Sequence, residues 1–173
     1  MAAKKQNVTI SIKVKLYPDQ KTIEEFKKLT TAYSEAATWL SDLMFNDVSS
    51  PEMITDRKTL HDRYYYDIRQ KKDMKSQLAE SLIKSVSAKY KAIGTTFKKQ
   101  YYTYTDADGN TAKYRKDLNW LQHPVVYKRP QADLVRGRDW SFVNDDNGGL
   151  ILSIATLTGR LVEIGRASCR ERV

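Results

Sequence analysis

Residues 8–17 alternate without a break: Val8, Ile10, Ile12, Val14 and Leu16 fall on one side, and Thr9, Ser11, Lys13, Lys15 and Tyr17 on the other. A period of two predicts a half-buried strand with one polar, basic face. A lone strand is not stable in water, so this segment needs partners. Pro18, Asp19 and Gln20 break the pattern, and the next stretch is helical rather than strand-like. The partners are therefore expected among the C-terminal strands, which makes the helices between them an insertion.

Thr22 with Glu25 three residues on reads as a capping box that starts a helix. Ile23, Phe26, Leu29, Tyr33, Ala37, Leu40 and Met44 then recur at three- and four-residue spacing, to about Phe45. Residues 46–55 read as a loop. A second helix is predicted over 56–70, with Leu60, Tyr64 and Ile68 on its face. A third is predicted over 75–93, with Leu78, Leu82, Val86, Tyr90 and Ile93 as its stripe. Lys84 and Lys91 fall opposite that stripe and Lys89 at its edge. Gly94 is expected to end this helix.

Beyond Gly94 the chain changes character. Tyr101, Tyr102 and Tyr104, then Thr111 to Tyr114, flank a turn-forming tip at 106–110, which predicts a hairpin. Residues 125–127 read as a short strand. Residues 140–143 and 150–154 flank a second turn, and residues 157–160 turn into a further strand. The expected fold class is α+β: a small β-barrel or sheet formed by residues 7–17 and 124–162, a three-helix insertion at 19–93, and a hairpin connector at 94–123.

Residues 163–173 match, residue for residue, the in-frame translation of a common short-read sequencing adapter. A scar of this kind carries no fold information. The expectation is that residues 164–173 are an artefact, that the native frame is cut near Leu161 and Val162, and that the parent protein continues. The chain's one cysteine, Cys169, lies in that tail, so disulfides and Cys-based zinc sites are not expected in the rest. With the tail the net charge is +9; without Arg166, Arg170, Arg172 and Glu171 it is +7.

This basic excess favours a polyanionic partner, nucleic acid first and an anionic membrane surface second. No apolar run approaches the roughly 20 residues that span a bilayer, and no apolar stretch comes after the N-terminal lysines as in a signal peptide. A cytoplasmic location and no membrane partner are expected.

Few residues suggest catalysis. His61 and His123 stand in different elements, and no Ser/His/Asp set, phosphate loop or dinucleotide glycine pattern is present. Asp106, Asp108 and Asn110 open like a calcium loop, but Thr111 stands where glycine is required and Asp117 where a bidentate Glu is required. Asp139, Asp145 and Asp146 read as turn chemistry. The stronger signal is aromatic residues among bases, because cations neutralise phosphates while exposed rings stack on unpaired bases. The residues expected to contact nucleic acid are Lys13, Lys15, Lys84, Lys89, Lys91, Lys128, Arg129, Arg136 and Arg138, with Tyr65 and Trp140 as stacking candidates. Arg136 and Arg138 alternate with Val135, Gly137 and Asp139, which places the pair on one strand face.

Residues 9–20, with Leu16-Tyr17-Pro18 leading into a helix that carries Tyr33, Ala36, Ala37 and Trp39, resemble the opening of TnpB/OrfB proteins, transposon-encoded relatives of type V CRISPR nucleases. Residues 60–69, 77–86 and 89–91 resemble that family's central helical region. Residues 127–130, 136–142 and 152–160, ending in Leu157-Thr158-Gly159-Arg160, resemble its β-rich wedge strands. The resemblance runs through nearly all of residues 7–162. It implies the N-terminal part of an RNA-guided DNA endonuclease from a mobile element in a prokaryotic cell or phage. Guide RNA and target DNA would be its partners, with the helices as a recognition insertion in a wedge barrel. In such systems the protein reads backbone shape and base pairing reads sequence. The family's magnesium-dependent RuvC-like centre and its zinc-binding insertion come later in the chain, so the resemblance assigns no catalytic residue and no cofactor to this one. The alternative is a non-catalytic DNA- or RNA-binding module of a transposase or phage protein.

Overall fold

A computed structural model describes residues 16–50, 52–144, 146 and 150–161 of the chain. The strand expected at 8–17 lies outside the described residues except for Leu16 and Tyr17, which are not in a strand. Lys13 and Lys15, the turn residue Asp145 and the tail also lie outside them.

Three helices come first: α1 (Gln20–Phe45), α2 (Arg57–Lys71) and α3 (Ser76–Lys99). Helix α1 begins two residues before the expected capping box. Asp19, not Thr22, is the cap, and its carboxylate accepts the Thr22 backbone N–H at 2.7 Å. Asp56 caps α2 in the same way through Thr59 N–H at 3.0 Å. Both carboxylates are held below their ordinary value, first by these backbone hydrogen bonds to Thr22 and Thr59.

Helix α3 does not stop at Gly94 but runs on to Lys99. Leu118 packs against the helix at Gly94, where a β-carbon would meet its Cγ at 3.4 Å, an ordinary contact distance. A glycine at that spacing predicts a helix end only because sequence alone does not show what approaches a helix face.

The expected stripes form the core. Leu29, Tyr33, Leu40 and Met44 of α1, Leu60 and Ile68 of α2, and Leu78, Leu82, Ile83, Val86 and Tyr90 of α3 are all buried together. Burying each large apolar side chain contributes about 1.5–3 kcal/mol. Tyr64 packs against the same cluster from the edge.

After α3 come a hairpin of β1 (Tyr102–Thr105) and β2 (Thr111–Tyr114), a short 3-10 turn (Leu118–Trp120), and an antiparallel meander of β3 (Trp140–Asn144), β4 (Leu150–Ala155) and β5 (Arg160–Leu161). Both expected hairpins are present, and the fold is α+β with two small antiparallel sheets. No closed barrel forms among the described residues. Leu152 and Ile154 make a second, smaller cluster on which Leu16, Phe26, Leu134 and Trp140 pack. Leu134 also touches the helical core, so the two clusters form one continuous body. Thr158 Oγ1 donates to Glu25 Oε2 at 3.0 Å and ties the sheet to α1.

Residues 125–127 are not a strand. They belong to an irregular strap, residues 121–135, laid against α1 and α3. Three of the strap's N–H groups go to helix hydroxyls, and none of its residues pairs with a strand among the described residues. Val125 N–H donates to Tyr90 OH at 3.2 Å, Tyr127 N–H to Thr38 Oγ1 at 3.1 Å and Gln131 N–H to Ser34 Oγ at 3.1 Å. Ser34 Oγ also donates to Arg129 O at 3.1 Å, and Ser81 Oγ to Asp133 O at 2.5 Å. Pro124 and Pro130 lack the N–H groups a ladder would need. Apolar contacts from Leu121, Val125, Tyr127, Ala132 and Leu134 cover the helical core.

Candidate nucleic-acid interface

The cations expected to meet phosphate fall in three places. Lys84, Lys89 and Lys91 are exposed on α3 and make no ion pair with a described residue. At 100° per residue, Lys84, Lys91 and Lys98 share one stripe, each roughly 10 Å from the next along the axis. Lys89 points to a different side, so the structure does not bring it to that row. Glu80, one turn before Lys84, is engaged by Arg57 at 3.0 Å and by His61 Nε2 at 2.8 Å. The Asp56 carboxylate, held down first by the Thr59 N–H, is lowered further by the Lys91 charge. Lys91 and Lys98 also line a cleft with Thr95, Asn119 and the acids Glu52 and Asp117.

Lys128 and Arg129 are exposed on the strap. The Ser34 and Thr38 hydroxyls of α1 fix the backbone around them through Tyr127 N–H, Arg129 O and Gln131 N–H. Arg136 and Arg138 are exposed as well, but they do not share a strand face. They sit in a tight turn in which Gly137 takes a φ of 81°, a conformation that favours glycine. The turn exists because Asp139, buried, accepts Val135 N–H at 2.7 Å through its carboxylate. Arg138 Nη1 donates to Gln77 Oε1 at 2.9 Å, and the Arg136 guanidinium lies 5.9 Å from the Trp140 ring centre.

The two stacking candidates are already engaged. Tyr65 has the His61 ring stacked on it at 4.6 Å and Tyr66 edge-on at 5.3 Å, and its hydroxyl accepts from Arg69. Trp140 is half-buried on the second cluster with Phe142 edge-on at 5.6 Å.

The hairpin and the 3-10 turn after it gather Tyr101, Tyr102, Tyr104, Tyr114 and Trp120, which the sequence shows among bases but does not place together or single out as stackers. Tyr102 pairs with Tyr114 across the strands, and their ring centres are 5.7 Å apart. Tyr104 meets Tyr114 at 5.9 Å and Trp120 meets it at 5.4 Å. The Lys116 ammonium lies 4.2 Å from the Tyr102 ring centre and 5.4 Å from that of Trp120. The Arg115 guanidinium lies over Tyr101 at 4.4 Å and donates to its hydroxyl. None of these aromatic residues belongs to either core cluster. The signal was present in the sequence: pairing the chain across the 106–110 tip puts Tyr102 opposite Tyr114.

That tip is a turn closed on itself. Asp106 Oδ1 accepts the N–H groups of Asp108 at 3.1 Å and Asn110 at 2.7 Å, as an Asx turn does. Among the described residues no cluster of His, Cys, Asp and Glu is arranged to hold a metal ion, and no helix is long and apolar enough to cross a membrane. Comparison with family models, with curated protein sequences and with solved structures finds no match to this chain.

Proposed function

We propose that this chain is the nucleic-acid-binding N-terminal part of an RNA-guided DNA endonuclease of the TnpB type, holding guide RNA and the backbone of its pairing with target DNA. The observation that carries the reading is the set of exposed cations, without ion-pair partners among the described residues, on rigid supports: Lys84 and Lys91 on α3, and Lys128 and Arg129 on the hydroxyl-fixed strap. Backbone recognition needs charge at fixed positions and no base readout. A wedge barrel, in which the strand expected at 8–17 closes on the C-terminal meander, is part of the proposal. The packing of Leu16 on the Leu152–Ile154 cluster supports it, because that contact brings the last apolar residue of the expected strand to the sheet. Magnesium and zinc chemistry would reside in a C-terminal part of the parent protein, and this chain supplies no residue to it.

Sequencing the source locus across codon 162 tests the nuclease reading. The expected result is a frame that continues for roughly one or two further domains, with separated Asp, Glu and Asp positions and paired Cys-x-x-Cys spacings. A stop shortly after that codon would leave a binding module of a transposase or phage protein. Recovery of the codons for residues 164–173 from native DNA would contradict the adapter origin of the tail.

A further inference from the structure

We infer that the β1–β2 hairpin, together with the 3-10 turn after it, is a stacking platform for unpaired RNA nucleotides, separate from the cations of α3 and the strap. A two-stranded hairpin is marginal by itself, and this one has no core beneath it. Its rings hold each other instead. That leaves them on the surface: Tyr101 is 61 % exposed, Tyr104 54 % and Trp120 55 %. Large exposed aromatics gathered in one place mark an interaction surface.

The charges beside the rings select the partner. The stem carries Lys113, Arg115 and Lys116 with no acid among residues 100–105 and 111–116, while Asp106 and Asp108 lie at the tip and Asp117 caps the 3-10 turn. Lys116 and Arg115 already sit against ring faces, so one ligand could meet a cation and an aromatic face within a single nucleotide's reach. Alternating phosphates and flat bases fit that arrangement. Cations neutralise the backbone and rings stack on bases without regard to sequence. Unpaired bases in a cell are supplied chiefly by the loops and bulges of RNA, since DNA is held in duplex.

The inference rests on the hairpin alone and does not depend on the nuclease reading. The test uses the full chain and a fluorescein-labelled oligouridine of about 12 nucleotides, read by fluorescence anisotropy. Tyr104→Thr keeps a strand-favouring residue and is expected to weaken binding about tenfold. Lys84→Ala with Lys91→Ala reports on the α3 cations separately, and a loss confined to that pair would overturn the hairpin assignment while leaving the other reading intact. Trp120→Phe guards against local misfolding. It should keep affinity within about twofold and abolish most of the RNA-induced quenching of tryptophan fluorescence. Quenching that persists in Trp120→Phe, or equal affinity for Tyr104→Thr and the unaltered chain, would overturn the inference. Tighter binding of the matched oligothymidine or of a duplex than of oligouridine would overturn the choice of RNA.

Discussion

Tyrosines do opposite work in α3 and in the hairpin beyond it. Tyr90 is fully buried: its hydroxyl shares a 2.7 Å hydrogen bond with Ser41 Oγ and accepts the strap's Val125 N–H. Tyr33 is buried in the same core, and burial first of all pushes its hydroxyl upward from the ordinary value of 10.0. In the hairpin, rings of the same chemistry pack on one another and on nearby cations outside both core clusters, and half or more of Tyr101, Tyr104 and Trp120 faces water. A residue type therefore says little about role until its satisfaction is known. Buried hydroxyls that find partners hold a fold together, and exposed rings with cations on their faces are left to meet something else.

The sharpest way to break the comparison is to empty the satisfied side. Leu82→Ala should cost about 2–5 kcal/mol of folding stability, because Leu82 is fully buried among the helices. The same experiment on the hairpin, Tyr104→Thr, should change stability by less than about 0.5 kcal/mol. Equilibrium urea unfolding reads both, and a large loss from Tyr104→Thr would show that the hairpin is part of the cooperative core.

Two tyrosine-to-phenylalanine changes refine the rule within the core itself. Tyr90→Phe removes a hydroxyl that serves α1 and the strap and should destabilise by about 1–2 kcal/mol. Tyr127 OH is buried and has no hydrogen-bond partner among the described residues. Burial first of all, then the neighbouring tyrosines Tyr90 and Tyr33, push its ionisation upward. Tyr127→Phe relieves that unpaired group and should be neutral or stabilising by about 1 kcal/mol. Thermal melts should show a loss for Tyr90→Phe and none for Tyr127→Phe; parallel losses would mean that the Tyr127 hydroxyl is satisfied after all.

A smaller effect comes from the helix caps. Asp19 and Asp56 have depressed folded-state values, so their contribution is present above the ordinary value of 3.8 and is lost as pH falls through the lower folded one. Circular dichroism melts should hold steady from neutral pH down to about 4 and drop below it, and Asp19→Asn with Asp56→Asn should flatten that drop.

Legibility in the sequence tracked periodicity. The stripes of Leu29 to Met44, Leu60 to Ile68 and Leu78 to Tyr90 were readable because helical burial repeats every three or four residues. Both hairpins were readable from turn residues between β-forming runs. Features that depend on contacts distant in sequence were not readable. Gly94 lies inside α3, with Leu118 from a later turn packed against it. Residues 125–127 are bound to helix hydroxyls instead of a strand, and the hint was a set of serines and threonines, Ser34, Thr38, Ser41, Ser81 and Ser85, on otherwise apolar helix faces. Arg136 and Arg138 turn where a strand was expected because one buried carboxylate, Asp139, gathers the loop. For the candidate interface, exposure of the cations was foreseeable from charge and spacing. The hairpin cluster needed the cross-strand register, which places Tyr114 opposite Tyr102 and beside Trp120.

The central claim is that this surface binds a polyanion through its cations. Titrating the unaltered chain against labelled single-stranded RNA from about 50 to about 200 mM salt tests it directly. The expected result is a linear fall of log affinity with log salt, at a slope of roughly −0.7 per phosphate contacted. Affinity that is unmeasurable at low salt, or that does not change with salt, would contradict the account.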